Sequence, residues 1–119
     1  MLDYKTLTDK YIELAIIHGN ALQNGKHIEA NKSYKEIIKV FNLINKNNEK
    51  VDAILLEIMN NENINVQIWA ATHSLSSNMN IKESIKKLNE ISRRTGIGIV
   101  RLSAQMVLEN WNKTRKIIL

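Results

Sequence analysis

Histidine is the residue type in this sequence best suited to proton transfer or metal binding, and it occurs three times in 119 residues. An imidazole exchanges protons near neutral pH and is a common metal ligand. His18 falls in the apolar stripe of the first predicted helix, and His73 falls beside Trp69, so we interpret both as hydrogen-bonded structural histidines. His27 falls at a predicted turn and is expected to face solvent. The histidines therefore predict neither catalysis nor a metal site.

Known catalytic motifs provide no other candidate. The sequence has no His-Glu-x-x-His motif, no glycine-rich phosphate loop and no Ser/His/Asp signature. It contains no cysteine, which excludes disulfides, thiolate catalysis and cysteine-ligated metals. We therefore predict a protein that is not an enzyme, with no catalytic or metal-binding residue and no cofactor.

The stretch NINVQIWAATHSL (63–75) carries a Trp, a His and a pair of alanines within a short length of chain. At about 100° per residue its apolar side chains fall on two nearly opposite helix faces. One face holds Ile64, Ile68, Ala71 and Leu75, and the other holds Val66, Trp69, Ala70 and His73. A helix with two apolar faces is buried between others, and small alanines allow close packing. The stretch therefore predicts a central helix.

Helical periodicity and capping signals predict an all-α fold of about six helices stacked as antiparallel pairs. The predicted segments are 3–23, 28–46, 49–60, 64–77, 81–95 and 98–114. Gly25 and Gly96 are placed where helix ends favour a left-handed residue. Asn80, with Glu83 three residues later, resembles a capping box. Proline is absent, and no segment has the period of a strand.

Composition is typical of a globular protein, with 44% hydrophobic and 24% charged residues. The length suits a single domain over 1–119. No apolar run is long enough to span a membrane and no signal peptide is visible, so we expect a cytoplasmic protein without membrane contact. The net charge of +5 comes entirely from residues 61–119.

The fifth and sixth predicted helices carry the candidate binding residues. Lys82, Lys86 and Arg93 form a strip without an acidic residue, which together with Arg101 predicts a positive surface. A merely solvated helix face explains the strip equally well. The last helix has a second, narrower apolar side made by Ile99, Leu102 and Met106. Either the tail KIIL covers that side or it is available to a partner.

Three segments carry a resemblance to a known family: AIIHGNALQNGKHIEANKSYKEI, NENINVQIWAATHSL and GIGIVRLSAQMVLENW. The second is similar to the second helix of a HEAT unit, although Gln67 replaces the usual Arg and the turn proline is missing. Together the segments resemble a small bacterial family of HEAT/armadillo-like domains of unknown function, numbered twenty-nineteen in that series. The resemblance implies an α-α superhelix. Some members of such families look like immunity proteins that neutralise toxins.

These observations favour a non-enzymatic protein–protein interaction module. The family resemblance implies one specific form of such a module, an immunity protein that binds and neutralises a toxin domain. The expected partner is a protein with an acidic contact face. The alternative is a helical-repeat protein that binds nucleic acid through its basic C-terminal half. Self-association through the open apolar side is compatible with the first interpretation.

Overall fold

The computed structural model describes residues 3–46 and 49–115, which form six α-helices and no strand. The helices are α1 (Tyr4–Gln23), α2 (His27–Asn45), α3 (Val51–Met59), α4 (Ile64–Ser76), α5 (Ile81–Ser92) and α6 (Val100–Thr114). The predicted all-α fold is confirmed. The largest difference in a boundary is at α5, which ends at Ser92 instead of residue 95, so that Arg93 caps the helix and does not extend it.

Helix α4 lies at the centre of the molecule, as its two apolar faces predict. Every residue from Asn65 to Leu75 is buried. The helix packs against α3 and α5, its neighbours along the chain, and also against α1 and α6. Ala70 and Ala71 are both fully buried. The cluster of Trp69 and His73 is therefore part of the core.

The remaining helices surround α4. Helix α1 packs most extensively against α2, and α3, α4 and α5 each pack against the next helix along the chain. Helix α1 also contacts α6, and the Gln23 side chain donates a hydrogen bond to the Ile97 carbonyl over 2.9 Å. The first and last helices therefore share one core, a feature that the pairwise pattern in the sequence did not predict. The described residues contain no helix that is both long and apolar enough to cross a membrane.

The ends of the helices show which turn predictions were correct. Gly25 and Gly96 have φ values of +68° and +75°, the left-handed conformation predicted for them. The predicted capping box at Asn80 is wrong. Asn80 is itself left-handed, with φ +46°, and its side chain makes no capping bond. It donates instead to the Asp52 carbonyl over 2.9 Å, because a left-handed Asn turns its amide towards the start of α3.

Helix α1 approaches α4 closely at Gly19. A Cβ atom at this position would lie 2.8 Å from Cβ of Asn65, closer than carbon atoms normally approach. The close approach lets the Asn65 amide donate to the Ala15 carbonyl over 2.8 Å. Asn65 therefore links the two helices at the base of the pocket described below.

Candidate functional site

Helix α6 and its N-cap residue Ile99 present three large apolar side chains to solvent. Ile99, Leu102 and Met106 are 43%, 50% and 62% exposed, and we call them the apolar strip. Their spacing of three and four residues places them on one face of the helix. The opposite face, with Val100, Ala104, Leu108 and Trp111, is buried. The tail KIIL, the alternative cover for this side of α6, comprises residues 116–119 and lies outside the described residues.

The apolar strip differs from the other exposed apolar residues of the described chain. Tyr4 and Ile17 are thirteen residues apart on α1, and Ile28 and Leu43 are fifteen apart on α2. At roughly 1.5 Å per residue the two members of each pair are about 20 Å apart along their helix, and Leu56 and Ile81 are the single exposed large apolar residues of α3 and α5. Two exposed large apolar residues on successive turns, continued by the exposed N-cap residue Ile99, therefore occur at α6 and at no other described helix.

The basic strip of Lys82, Lys86 and Arg93 is exposed. Lys82 and Lys86 lie opposite the buried face of α5, which consists of Ser84, Leu88 and Ile91. Glu83 and Lys87 are four residues apart on α5, a spacing that allows an ion pair. In the described part of the chain their side chains form none. The exposed side of α5 carries Lys82 and Lys86 together with Glu83 and Glu90, and this helix packs against α6, which carries the apolar strip.

Arg101 is placed differently from the other predicted binding residues. It is half-buried and precedes Leu102, about 100° away around the helix, so it does not share the apolar strip. It lines a shallow recess of about 220 Å³ with Arg94 and the loop between α5 and α6. The structure therefore brings Ile99, Leu102 and Met106 together, and sets Arg101 apart at the loop.

A pocket of about 310 Å³ opens between α1, α2, α4 and α6, next to Met106. Its aromatic wall is formed by His18, Tyr34 and Trp69, whose ring centroids lie 5.3–6.2 Å apart. The other lining residues come from α1, α4 and α6 and are Leu22, Asn65, Ile68, Thr72, Ser103, Met106, Val107 and Asn110. The sequence did not predict this pocket, because its lining residues lie on four separate helices. Only the packing of these helices brings the residues together.

His18 is held in one orientation by two donors from α4. The Trp69 indole N–H donates to Nδ1 of His18 over 3.2 Å, and the Asn65 amide donates to the same nitrogen over 3.0 Å. A nitrogen that accepts hydrogen bonds carries no proton, so the neutral ring carries its proton on Nε2. Burial lowers the pKa of His18 below its usual value. The N–H donor of His18 is therefore Nε2, on a side chain that lines the pocket.

His73 lies deeper and contributes to packing. Its Nδ1 is 2.7 Å from the Tyr11 hydroxyl, and its ring stacks on Phe41 at a centroid distance of 4.0 Å. Burial lowers the pKa of His73 to about 3, so the ring is neutral. The prediction that His18 and His73 are hydrogen-bonded is confirmed, and His27 is exposed at the start of α2.

Within residues 3–46 and 49–115, no group of three or more His, Asp or Glu side chains is placed to hold a metal ion. Comparisons with family models, with curated proteins and with solved structures find no match to this chain. The resemblance to a HEAT-like family accordingly stays a prediction, as does the function that the resemblance implies.

Proposed function

We propose that this chain is a non-enzymatic protein-binding module whose main contact surface is the apolar strip on α6. The single observation that carries the proposal is the exposure of Ile99, Leu102 and Met106 on successive turns of one helix. Contiguous apolar surface on a protein that must stay soluble marks an interaction site more often than isolated apolar residues do. The occupant that we infer is the apolar face of an acidic protein.

The charge of the neighbouring helix supports an acidic partner. Lys82 and Lys86 are exposed on α5, which packs beside α6. The exposed Glu83 and Glu90 lie three residues before and four residues after Lys86, on the same side of the helix. Lys87, Arg93 and Arg94 add further positive charge to this region, so its basic residues outnumber the two acidic ones. A partner that buries the apolar strip would meet this positive surface at its edge. Charges at the rim of an interface increase the rate of association more than the affinity.

Neutralising a toxin domain is the specific form of this function that the family resemblance implies. Nuclease toxins are usually basic and would be repelled by the basic strip. A toxin of another activity with an acidic surface suits the charges of α5 and α6 better. The proposal therefore favours an acidic toxin domain over a basic one.

Affinity capture with tagged protein variants tests the proposal. The test variant, Leu102→Asp with Met106→Asp, adds two charges to the apolar strip without touching the core. The matched control, Ile28→Asp with Leu43→Asp, makes the same change at two isolated exposed residues on α2. Lysate of the source cells is treated with nuclease, and proteins bound to the parent, test and control chains are compared by mass spectrometry.

The expected result is one protein bound in near-stoichiometric amount by the parent and the control, and lost from the test variant. Equal recovery by all three chains would exclude the apolar strip as the contact surface. Loss of all recovery on nuclease treatment would favour the nucleic-acid alternative, since phosphate contacts made by the basic half would then account for binding. Light scattering at two protein concentrations distinguishes self-association, which would give a mass that rises with concentration.

A further inference from the structure

We propose that the pocket between α1, α2, α4 and α6 binds a small, uncharged, mainly apolar molecule that carries one hydrogen-bond acceptor. The site is distinct from the protein-binding surface proposed above, although Met106 borders both. The proposal does not depend on that function. It rests on the size of the pocket, the composition of its walls and the fixed orientation of His18.

The pocket has the size and lining of a ligand site. Its volume of about 310 Å³ lies at the lower end of the range for small-molecule sites, roughly 300–1,000 Å³. Trp69 and Tyr34 supply aromatic surface, and Ile68 and Val107 supply aliphatic surface. Trp69 is only 5% exposed, so its ring is held rigidly by the core. A flat apolar group can therefore pack against walls that are already in place.

His18 supplies the polar contact. Because the indole of Trp69 and the amide of Asn65 both donate to Nδ1, the proton of the neutral ring is on Nε2. Both donors belong to the buried helix α4, and their hydrogen bonds to Nδ1 hold the His18 ring in one orientation. A pocket with a fixed N–H donor selects a ligand with an acceptor, since ligands without one leave the donor unpaired.

The lining also determines the charge of the ligand. None of the residues that line this pocket is Asp, Glu, Lys or Arg. A charged ligand would lose hydration without gaining an ion pair, which is costly in a largely apolar site. The remaining polar side chains of the lining, such as Ser103 and Asn110, are neutral. The ligand is therefore expected to be uncharged.

Two probes of nearly the same shape test the proposal with the unaltered protein. Acetophenone carries a carbonyl acceptor next to its aromatic ring, and ethylbenzene has the same ring without an acceptor. Binding is followed by the NMR signal of the Trp69 indole N–H, which is bonded to His18. Trp111 does not line the pocket, and its indole signal is the internal reference. We expect the Trp69 signal alone to shift, and acetophenone to bind roughly three- to tenfold more tightly than ethylbenzene.

An occlusion variant locates the site. Ser103→Leu adds bulk inside the pocket, and Ser92→Leu makes the same change at a half-buried serine on α5 that does not line it. Loss of binding in the first variant and retention in the second would support the site. Equal affinities of the two probes would overturn the role of His18. The absence of a Trp69 shift at probe concentrations of about 1 mM and above in the parent protein would overturn the proposal as a whole.

Discussion

The hydroxyl of Tyr11 lies 2.7 Å from Nδ1 of His73, and the two residues are separated by 62 positions in the chain. Both side chains are fully buried, and Nε2 of His73 has no hydrogen-bond partner. The pair joins α1 to the central helix α4 inside the apolar core. A buried polar pair of this kind stabilises the fold only while both members are present, because either one alone leaves an unpaired polar group.

The costs of removing the Tyr11 hydroxyl and of replacing His73 should not add. We expect Tyr11→Phe to lower the free energy of unfolding by about 1–3 kcal/mol, since Nδ1 of His73 then has no partner. The double variant Tyr11→Phe with His73→Phe should lose less than the sum of the single variants. Urea denaturation of the parent and the three variants measures the coupling. Strict additivity would contradict an interaction between the two side chains.

The stability of the fold should fall as the solution becomes acidic. The pKa of His73 is about 3 in the folded chain against 6.5 for the free side chain. Between these values the unfolded chain binds a proton that the folded chain does not. The full stability is therefore present above pH 6.5 and is lost as the pH falls, by about 1.4 kcal/mol per unit from this residue.

The pKa of His18, which is also lowered by burial, contributes in the same direction. Denaturation between about pH 7.5 and pH 5 measures the slope before most carboxylates are protonated. We expect His73→Phe to flatten the slope. An unchanged slope in that variant would show that His73 is not the group responsible.

Replacement of Gly19 by Ala should destabilise the protein, although the same change inside a helix usually stabilises it. A new Cβ atom would lie 2.8 Å from Asn65, so α1 and α4 would have to separate. We expect a loss of about 1–3 kcal/mol and a shifted Trp69 indole signal, because Asn65 and Trp69 share His18 as an acceptor. Asn20→Ala, at an exposed neighbour, is the control. A gain in stability at Gly19 would disprove the close approach.

Reversing the basic strip should slow the association with an acidic partner. In Lys82→Glu, Lys86→Glu, Arg93→Glu we expect a slower association rate that depends less on salt, with a smaller change in dissociation. The control reverses three exposed lysines of the neutral half, Lys10, Lys32 and Lys35. Stopped-flow or surface-binding kinetics at two salt concentrations compare the two variants. If both change the rate equally, only net charge matters and the strip has no special role.

Periodicity in the sequence was sufficient to predict the helices and the central position of α4. The 63–75 stretch is apolar on two faces, and such a helix can be stable only when it is covered on both sides. Asn80 could not be assigned from sequence. An Asn before a helix can cap it or adopt a left-handed turn, and the choice here depends on the Asp52 carbonyl of another helix.

The candidate site was predicted in part. The spacing of Ile99, Leu102 and Met106 identified a second apolar side of α6, and these residues are exposed on one face. Arg101 shares its positive charge with the basic strip, but its position around α6 places it at the loop with Arg94, and the sequence does not contain that information. The pocket depends on contacts between α1, α2, α4 and α6, and no local pattern in the sequence contains that information.

The affinity of the purified partner for the apolar-strip variant tests the central claim most directly. Calorimetric titration would compare the parent, Leu102→Asp with Met106→Asp, and Ile28→Asp with Leu43→Asp. If the strip is the centre of the interface, the first variant should lose at least about 2 kcal/mol of binding free energy, roughly thirtyfold in Kd, and the second should bind like the parent. Parent-like affinity in the Leu102 and Met106 variant would contradict the proposed binding surface.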